Sequence, residues 1–314
     1  MSKLILILFA FFSSITSFAA PNIFIYHGNK VTNDQQFPFV VAIYDESRAD
    51  ELCTGSLIGD RWVLTAYHCV NDGAKPENRF VGIGYQSGKY SSSEKIFSVK
   101  KIFIYPQSPN NNDYNPYWWL KYDFALLQLD EPTGIKPVEL PADSQEFPDL
   151  KSGKQKAISV GYGWTDISWP ADCEQDPNSY KCIPDMHWEA DLKFGEELIQ
   201  SDQSTQDLLQ KYVKLEEIPA TDPFPAYNSQ TMLGLISPDG KRPTSGDSGG
   251  PLLIQIKQPD GLYKYVQVGV TSWGLPYSYI AYTQGYLEKE PGVDVNITNP
   301  KIINFIKKTM LENS

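Results

Sequence analysis

Three polar side chains that are far apart in the chain stand in segments suited to proton transfer and nucleophilic attack. His68 lies two residues after the apolar run 62–66 and is held by the cysteine that follows it. Asp123 directly precedes a hydrophobic strand, and Ser248 lies among glycines. A serine hydroxyl is a poor nucleophile at neutral pH, so a histidine must accept its proton during attack, while a buried carboxylate keeps that histidine in the useful tautomer. The three residues are candidates for nucleophile, base and orienting acid.

The glycines around Ser248 have a role of their own. In the segment 245–251, Ser-Gly-Asp-Ser-Gly-Gly-Pro, they let the backbone turn tightly. A tight turn can aim backbone N–H groups at the oxygen of a substrate. This segment is therefore suited to stabilising a negatively charged intermediate.

Short apolar or alternating runs must position these side chains. Gly, Pro, Asn and Asp separate the runs, which is typical of strands joined by turns. The predicted strands are 39–43, 56–58, 62–66, 80–83, 124–129, 157–160, 251–256 and 265–273. The pattern predicts an all-β sandwich or a pair of barrels and not an array of alternating strands and helices.

Helices are expected in two places only. Asn299 and Pro300 provide a cap and a first-turn proline, so a C-terminal helix is predicted over 300–311. The segment 106–119 is predicted to be a long surface loop. The larger irregular region 164–242 could hold a second helix over 196–213.

The first residues indicate export. A lysine at position 3, the apolar run 4–12 and the small residues 13–20 have the layout of a signal peptide, predicted over 1–19. The apolar run is shorter than the roughly 20 residues that cross a bilayer, and no later run reaches that length. The sequence therefore predicts a secreted protein, extracellular or periplasmic, without stable membrane insertion.

Composition limits the partners. The 314 residues suffice for one large core or two modest ones, and 41% are apolar. The formal net charge of -11 leaves no basic excess for binding nucleic acid. An even number of cysteines in an exported chain favours two disulfides. Three pairings are possible, and the local one is favoured because the pairs are far apart in the chain: Cys53 with Cys69, and Cys173 with Cys182.

With histidine, aspartate and serine in that order, the chain resembles the chymotrypsin/trypsin-like family of serine peptidases over nearly all of its mature length. Subtilisins and α/β-hydrolases use other orders. The resemblance implies two packed six-stranded antiparallel β-barrels, over 25–140 and 141–314, the second with the terminal helix. It also implies an acyl-enzyme on Ser248, an oxyanion held by the N–H groups of Gly246 and Ser248, protein or peptide substrates, and no metal or cofactor.

The segment beginning Ile25-Tyr26-His27-Gly28 resembles the family's new N-terminus. The resemblance implies a propeptide over 20–24, removed by an activating protease that cuts before Ile25. The freed ammonium would then pair with Asp247. The alternative is that Ile25 merely starts a strand and that no processing occurs.

The resemblance also indicates a substrate pocket. Its floor residue, six positions before the nucleophile, is Arg242, and Asp294 stands where the family usually has tyrosine. Either Arg242 selects acidic or polar side chains, or Asp294 pairs with it and leaves a neutral, shallower pocket. An unpaired buried arginine is costly, which favours the ion pair. Cleavage after Lys or Arg is not expected. The pocket walls are Ser272, Trp273 and Gly274, with Ser272 supporting Asp123.

Two other classes of function compete with an active endopeptidase. The first is a catalytically silent binding protein on the same fold, which would be expected to lose one of the three chemical residues. The second is an esterase or lipase, which would need a histidine downstream of the serine, and that order is absent.

Overall fold

The computed structural model describes the chain over these residues: 25, 28–33, 35–46, 51–84, 95–106, 118–143, 145–168, 170, 173, 185–187, 191–215, 227–274 and 291–314. The predicted signal peptide and propeptide, 1–24, lie outside them. So does most of the predicted surface loop over 106–119.

The first half of the chain closes into a six-stranded antiparallel barrel. The ring order is β2-β3-β4-β7-β6-β5, so that each strand has a partner on both sides. Closure removes exposed strand edges, which otherwise invite association with other chains. The six strands are β2 (Val40–Tyr44), β3 (Glu51–Gly59), β4 (Trp62–Thr65), β5 (Phe80–Ile83), β6 (Lys95–Ile104) and β7 (Ala125–Leu129).

The second half closes into another six-stranded antiparallel barrel. The ring order is β11-β12-β15-β14-β13-β8, and the pairing of β8 with β11 completes it. A short strand, β1 (Asn29–Lys30), adds to the outer edge of β11, and β9 (Asp166–Ser168) pairs with β10 (Asp185–His187). The strands of the ring are β8 (Gln155–Gly161), β11 (Lys193–Ile199), β12 (Met232–Ile236), β13 (Pro251–Lys257), β14 (Tyr263–Gly274) and β15 (Gly292–Asn296). The predicted pair of barrels is confirmed.

Two α-helices accompany the barrels in the described part of the chain, α1 (Asp202–Leu215) and α2 (Pro300–Glu312). The C-terminal helix is confirmed, and the Asn299 side chain accepts a 2.9 Å hydrogen bond from the Lys301 amide as its cap. None of the described helices has the length and apolar character that crossing a bilayer demands.

The predicted helix over 196–213 was wrong at its start. Residues 196–199 belong to β11, and the helix begins only at Asp202. Ser201 caps it by accepting a hydrogen bond of 3.1 Å from the Ser204 amide. Alternate residues of β11 are buried inside the barrel, and this alternation requires a strand.

The two barrels are joined by buried polar contacts. The Ser56 hydroxyl on β3 donates a 2.7 Å hydrogen bond to the Gln267 side chain on β14, and both residues are buried. The Thr54 amide, also on β3, donates a 2.9 Å hydrogen bond to the carbonyl oxygen of Ser248. The candidate nucleophile therefore lies at the junction of the barrels.

Candidate active site

His68 is held by the end of a strand and by a disulfide. The strand β4 leads into a short 3₁₀ turn, Tyr67–Cys69, which carries the histidine. The next residue, Cys69, is disulfide-bonded to Cys53 on β3, with 6.1 Å between their Cα atoms. The histidine is therefore fixed on both sides.

Asp123 is fully buried against His68. Its Oδ2 lies 2.7 Å from Nδ1 of the imidazole, and its Oδ1 accepts a 2.9 Å hydrogen bond from the backbone N–H of His68. Two strands create this contact, because Thr65 on β4 is paired with Ala125 on β7 and their ends lie side by side. The backbone bond fixes the distance, and the side-chain bond fixes the tautomer with hydrogen on Nδ1.

Ser272 supports the carboxylate from the second barrel. Its hydroxyl donates a 2.5 Å hydrogen bond to Oδ2 of Asp123, and both side chains are buried. The resemblance implied this contact. A polar group is costly to bury unless it is hydrogen-bonded, so this bond lowers the cost of burying Asp123.

The pKa of His68 is raised above its ordinary value of 6.5. Burial by itself lowers the pKa of the imidazole because it penalises the charged ring. The hydrogen bond to Asp123 and the negative charge of that carboxylate raise it, and together they outweigh burial. The imidazole of His68 therefore binds a proton more readily than an ordinary histidine does.

Ser248 is anchored to β3 next to Cys53, the residue whose disulfide holds the histidine turn. Its carbonyl oxygen accepts the hydrogen bond from the Thr54 amide and lies 3.6 Å from Sγ of Cys69. Since Cys69 follows His68 and is bonded to Cys53, one short piece of β3 holds both the serine loop and the histidine turn. The structure therefore brings the backbone of Ser248 next to the turn that carries His68.

The loop around Ser248 adopts a backbone that favours glycine. Gly246 and Gly249 have φ of 96° and 84°, in the left-handed region. A Cβ atom at Gly249 would lie 2.1 Å from the Thr65 hydroxyl. Among the described residues, no protein acceptor is bonded to the amides of Gly246 and Ser248. Both N–H groups remain available to an oxygen atom of a substrate.

Asp247 points away from this site into the second barrel. It is buried, and its two carboxylate oxygens accept hydrogen bonds from the amides of Gly163, at 2.7 Å, and Thr244, at 2.8 Å. Burial raises the pKa of Asp247 to about 6, while those hydrogen bonds and the charge of Lys193 oppose the rise. Ile25 is also fully buried, and its neighbours Phe24, Tyr26 and His27 lie outside the described residues.

The ion pair that the sequence favoured between Arg242 and Asp294 does not form. Both residues are buried and described, yet no ion pair joins them in the described part of the chain. Burial alone raises the pKa of Asp294 to about 8. Trp273 and Gly274, the predicted pocket walls, end β14.

A second buried acid, Glu197 on β11, accompanies Asp294. The pKa of Glu197 is raised well above 4.5 by burial and then by the negative charge of Asp294, and Arg242 opposes this rise. The charge of Arg242 therefore acts on Glu197, a residue that sequence reasoning did not single out. The sequence around an inward-facing charged residue does not indicate which residues of the other strands it will face inside the barrel.

Two further predictions concern cysteines and metals. Cys173 is buried and disulfide-bonded, and its predicted partner Cys182 lies outside the described residues. Cys53, His68 and Cys69 lie close enough together to suggest a metal site. Both sulfur atoms are consumed by the disulfide and cannot act as thiolate ligands, so this cluster does not fit a metal.

Thr54 is another residue that sequence reasoning missed. Its hydroxyl donates to the Gly246 carbonyl at 2.8 Å and accepts from the Tyr162 amide at 3.1 Å. It is fully buried, and with its amide bond to Ser248 it holds both ends of the glycine turn. The only local signal was its position beside Cys53.

Comparison with known proteins agrees with this geometry. A family model described as Trypsin matches residues 26–181, a stretch that contains His68 and Asp123 and ends before Ser248. The chain is also 29% identical over 263 residues to a protein named "Trypsin" from Phaedon cochleariae. That alignment covers 81% of this chain and 80% of the relative.

Proposed function

Because the chain belongs to the chymotrypsin/trypsin-like family of serine peptidases, we propose that it is a secreted serine endopeptidase that acts through an acyl-enzyme on Ser248. The observation that carries the proposal is the buried contact of 2.7 Å between Asp123 and the Nδ1 atom of His68. This contact leaves the other ring nitrogen free of hydrogen, which is the tautomer that a general base requires.

The first half of the reaction forms the acyl-enzyme. His68 takes the hydroxyl proton of Ser248 as the serine oxygen attacks the carbonyl carbon of the scissile peptide bond. The same imidazolium then gives that proton to the leaving nitrogen, and the C–N bond breaks. Asp123 stabilises the positive ring between the two transfers. A water molecule then attacks the ester in the same way, with His68 as its base, and the second product is released.

The carbonyl oxygen becomes negatively charged during each attack. The amides of Gly246 and Ser248 donate hydrogen bonds to this oxygen. Preorganised dipoles accelerate the reaction most when they point at the atom on which charge develops. Loss of one such donor typically costs about 10²–10³ in rate. The left-handed φ of Gly246 supports this role, because it turns the loop so that two N–H groups can converge.

Export and activation complete the proposal. Residues 1–19 are a signal peptide, and cleavage before Ile25 removes the propeptide 20–24. The burial of Ile25 and of Asp247 supports a role for the new ammonium as partner of that carboxylate. N-terminal sequencing of the fully active form tests this step, and an uncut form that is as active as the form beginning at Ile25 contradicts it.

The substrates are proteins or peptides, and the buried positive charge of Arg242 disfavours Lys or Arg before the scissile bond. Profiling of cleavage on a mixed peptide library measures which residues are accepted before the scissile bond.

A serine-directed phosphonylating probe tests the mechanism itself. The processed wild type is expected to be labelled on Ser248, and Ser248→Ala is expected not to be labelled. A Ser237→Ala variant is a matched control, since Ser237 is also a buried serine but lies after β12. Unlabelled wild type would instead favour the catalytically silent binding protein, and labelling of Ser248→Ala would place the nucleophile elsewhere.

A further inference from the structure

A lysine is buried inside the second barrel beside the serine loop. Lys193 begins β11 and is completely inaccessible to solvent. A buried ammonium is costly unless a negative charge or hydrogen-bond acceptors face it. The strand register shows which carboxylate it faces.

Lys193 stands directly opposite Gly161 in the ladder between β11 and β8. Residues that are opposite each other in an antiparallel pair project from the same face of the sheet, with Cβ atoms about 5 Å apart. A Cβ atom built on Gly161 would lie 2.2 Å from Oδ1 of Asp247. The carboxylate of Asp247 therefore covers Gly161 on the face from which Lys193 projects.

We propose that Lys193 is a positioning residue, a built-in counter-ion for Asp247 that partly organises the Gly246–Ser248 turn before the chain is cut at Ile25. The inference rests on the proposed function. It adds that the uncut protein already has measurable reactivity at Ser248, and that activation by cleavage is correspondingly modest.

The physical reason is the position of Asp247 between the two amides of the proposed oxyanion site. Its backbone continues directly into Ser248, so the orientation of its side chain sets the orientation of the turn. In the absence of a nearby cation, a buried carboxylate favours protonation or a different position. The charge of Lys193 lowers the pKa of Asp247 and so stabilises the ionised, inward-pointing form.

The N-terminal segment lies next to the same lysine. Lys30 on β1 is paired with Lys193 on β11, and the Val31 amide donates a 2.9 Å hydrogen bond to the Leu192 carbonyl. Ile25 lies five residues before Lys30 and is fully buried. A new ammonium at Ile25 would therefore share Asp247 with a cation that is already there, which reduces what cleavage adds.

The first experiment compares uncut and cut protein. Residues 20–24 are replaced by an enteropeptidase recognition sequence, so that one preparation yields the uncut form and, after digestion, a form that starts at Ile25. The rate of Ser248 labelling by the phosphonylating probe is measured for wild type, Lys193→Met, Lys193→Arg and the control Lys156→Met, whose lysine is exposed on β8.

Lys193→Met is expected to slow labelling of the uncut form about tenfold or more, the size of effect that a nearby opposite charge has on a buried acid. The cut form should be slowed less, and Lys193→Arg and Lys156→Met should label like wild type. Equal labelling of uncut wild type and uncut Lys193→Met would overturn the inference. Absence of labelling in both wild-type forms would instead reject the proposed peptidase.

A second experiment does not depend on activity. Thermal unfolding is measured for Lys193→Met, Asp247→Asn and the double variant, which form a double-mutant cycle. Each single variant leaves one buried charge without the other. The double variant is therefore expected to lose less stability than the two single variants lose together. Strictly additive losses would overturn the contact between Lys193 and Asp247, even if a single variant folds poorly.

Discussion

The hydroxyl of Thr54 donates a hydrogen bond of 2.8 Å to the carbonyl oxygen of Gly246. The bond joins the first barrel to the turn that presents Ser248. Removing that hydroxyl should loosen the turn without touching any group that reacts.

Thr54→Val keeps the shape of the side chain and removes the hydroxyl. We expect kcat to fall about tenfold with little change in KM, since one hydrogen bond of ~1 kcal/mol is lost and the Tyr162 amide loses its acceptor. Steady-state kinetics on a peptide substrate measure both constants. Thr309→Val, in α2, makes the same change in another buried threonine and should leave kcat unaltered. A rise in KM alone would contradict the proposed role of Thr54.

Asp123→Asn should lower kcat by roughly 10⁴, because the amide cannot hold the required tautomer of His68. It should also move the acid limb of the pH profile. The base must be neutral, so kcat/KM falls as pH drops through the pKa of His68, which Asp123 raises above 6.5. With that carboxylate gone, burial dominates and the limb should move to lower pH.

The pH dependence of kcat/KM from pH 4 to 9 checks this expectation. Asp130→Asn is a suitable control, because Asp130 is exposed just after β7. An acid limb that stays in place in Asp123→Asn would mean that another group titrates.

Asp294 should make the protein less stable as pH rises. Its pKa is about 8 in the folded protein and 3.8 ordinarily, so folding takes up a proton between those values. The free energy of unfolding should fall from about pH 4 to about pH 8, by at most about 1.4 kcal/mol per pH unit from this group. Glu197, whose pKa is also raised, acts in the same direction.

Asp294→Asn removes the titrating group and should flatten that slope, with the largest gain in stability near pH 8. Urea unfolding at pH 5 and pH 8 measures the difference. Asp260→Asn, in the exposed turn between β13 and β14, should leave the slope unchanged. Parallel slopes for wild type and Asp294→Asn would show that Asp294 is not the group responsible.

Arg242 should disfavour cationic side chains in the proposed pocket, because like charges repel each other. A mixed peptide library is expected to show cleavage after Lys or Arg at least about tenfold below other residues, the effect of one unfavourable charge contact of ~1.4 kcal/mol. Arg242→Gln should relieve this exclusion. Lys241→Gln changes the neighbouring lysine, which pairs with Asp239, and should not alter the profile. Efficient cleavage after Lys by wild type would contradict the proposed position of Arg242 at the pocket floor.

Local patterns were sufficient for much of this protein. Short apolar or alternating runs marked most of the barrel strands, and Asn299 with Pro300 marked the start of the C-terminal helix. His68, Asp123 and Ser248 could be selected before any fold was known, since their neighbours in the chain provide the strand end, the hydrophobic run and the glycines. Each of these signals depends on residues within one element, which is why sequence alone determined them.

Tertiary structure decided what depends on neighbours across strands. Thr54 reaches Gly246 only because two barrels meet there. Lys193 faces Asp247 because the register of the ladder between β8 and β11 determines which inward side chains oppose one another. Burial and charge at those positions come from several strands distant in the chain, so no spacing in the sequence could reveal them.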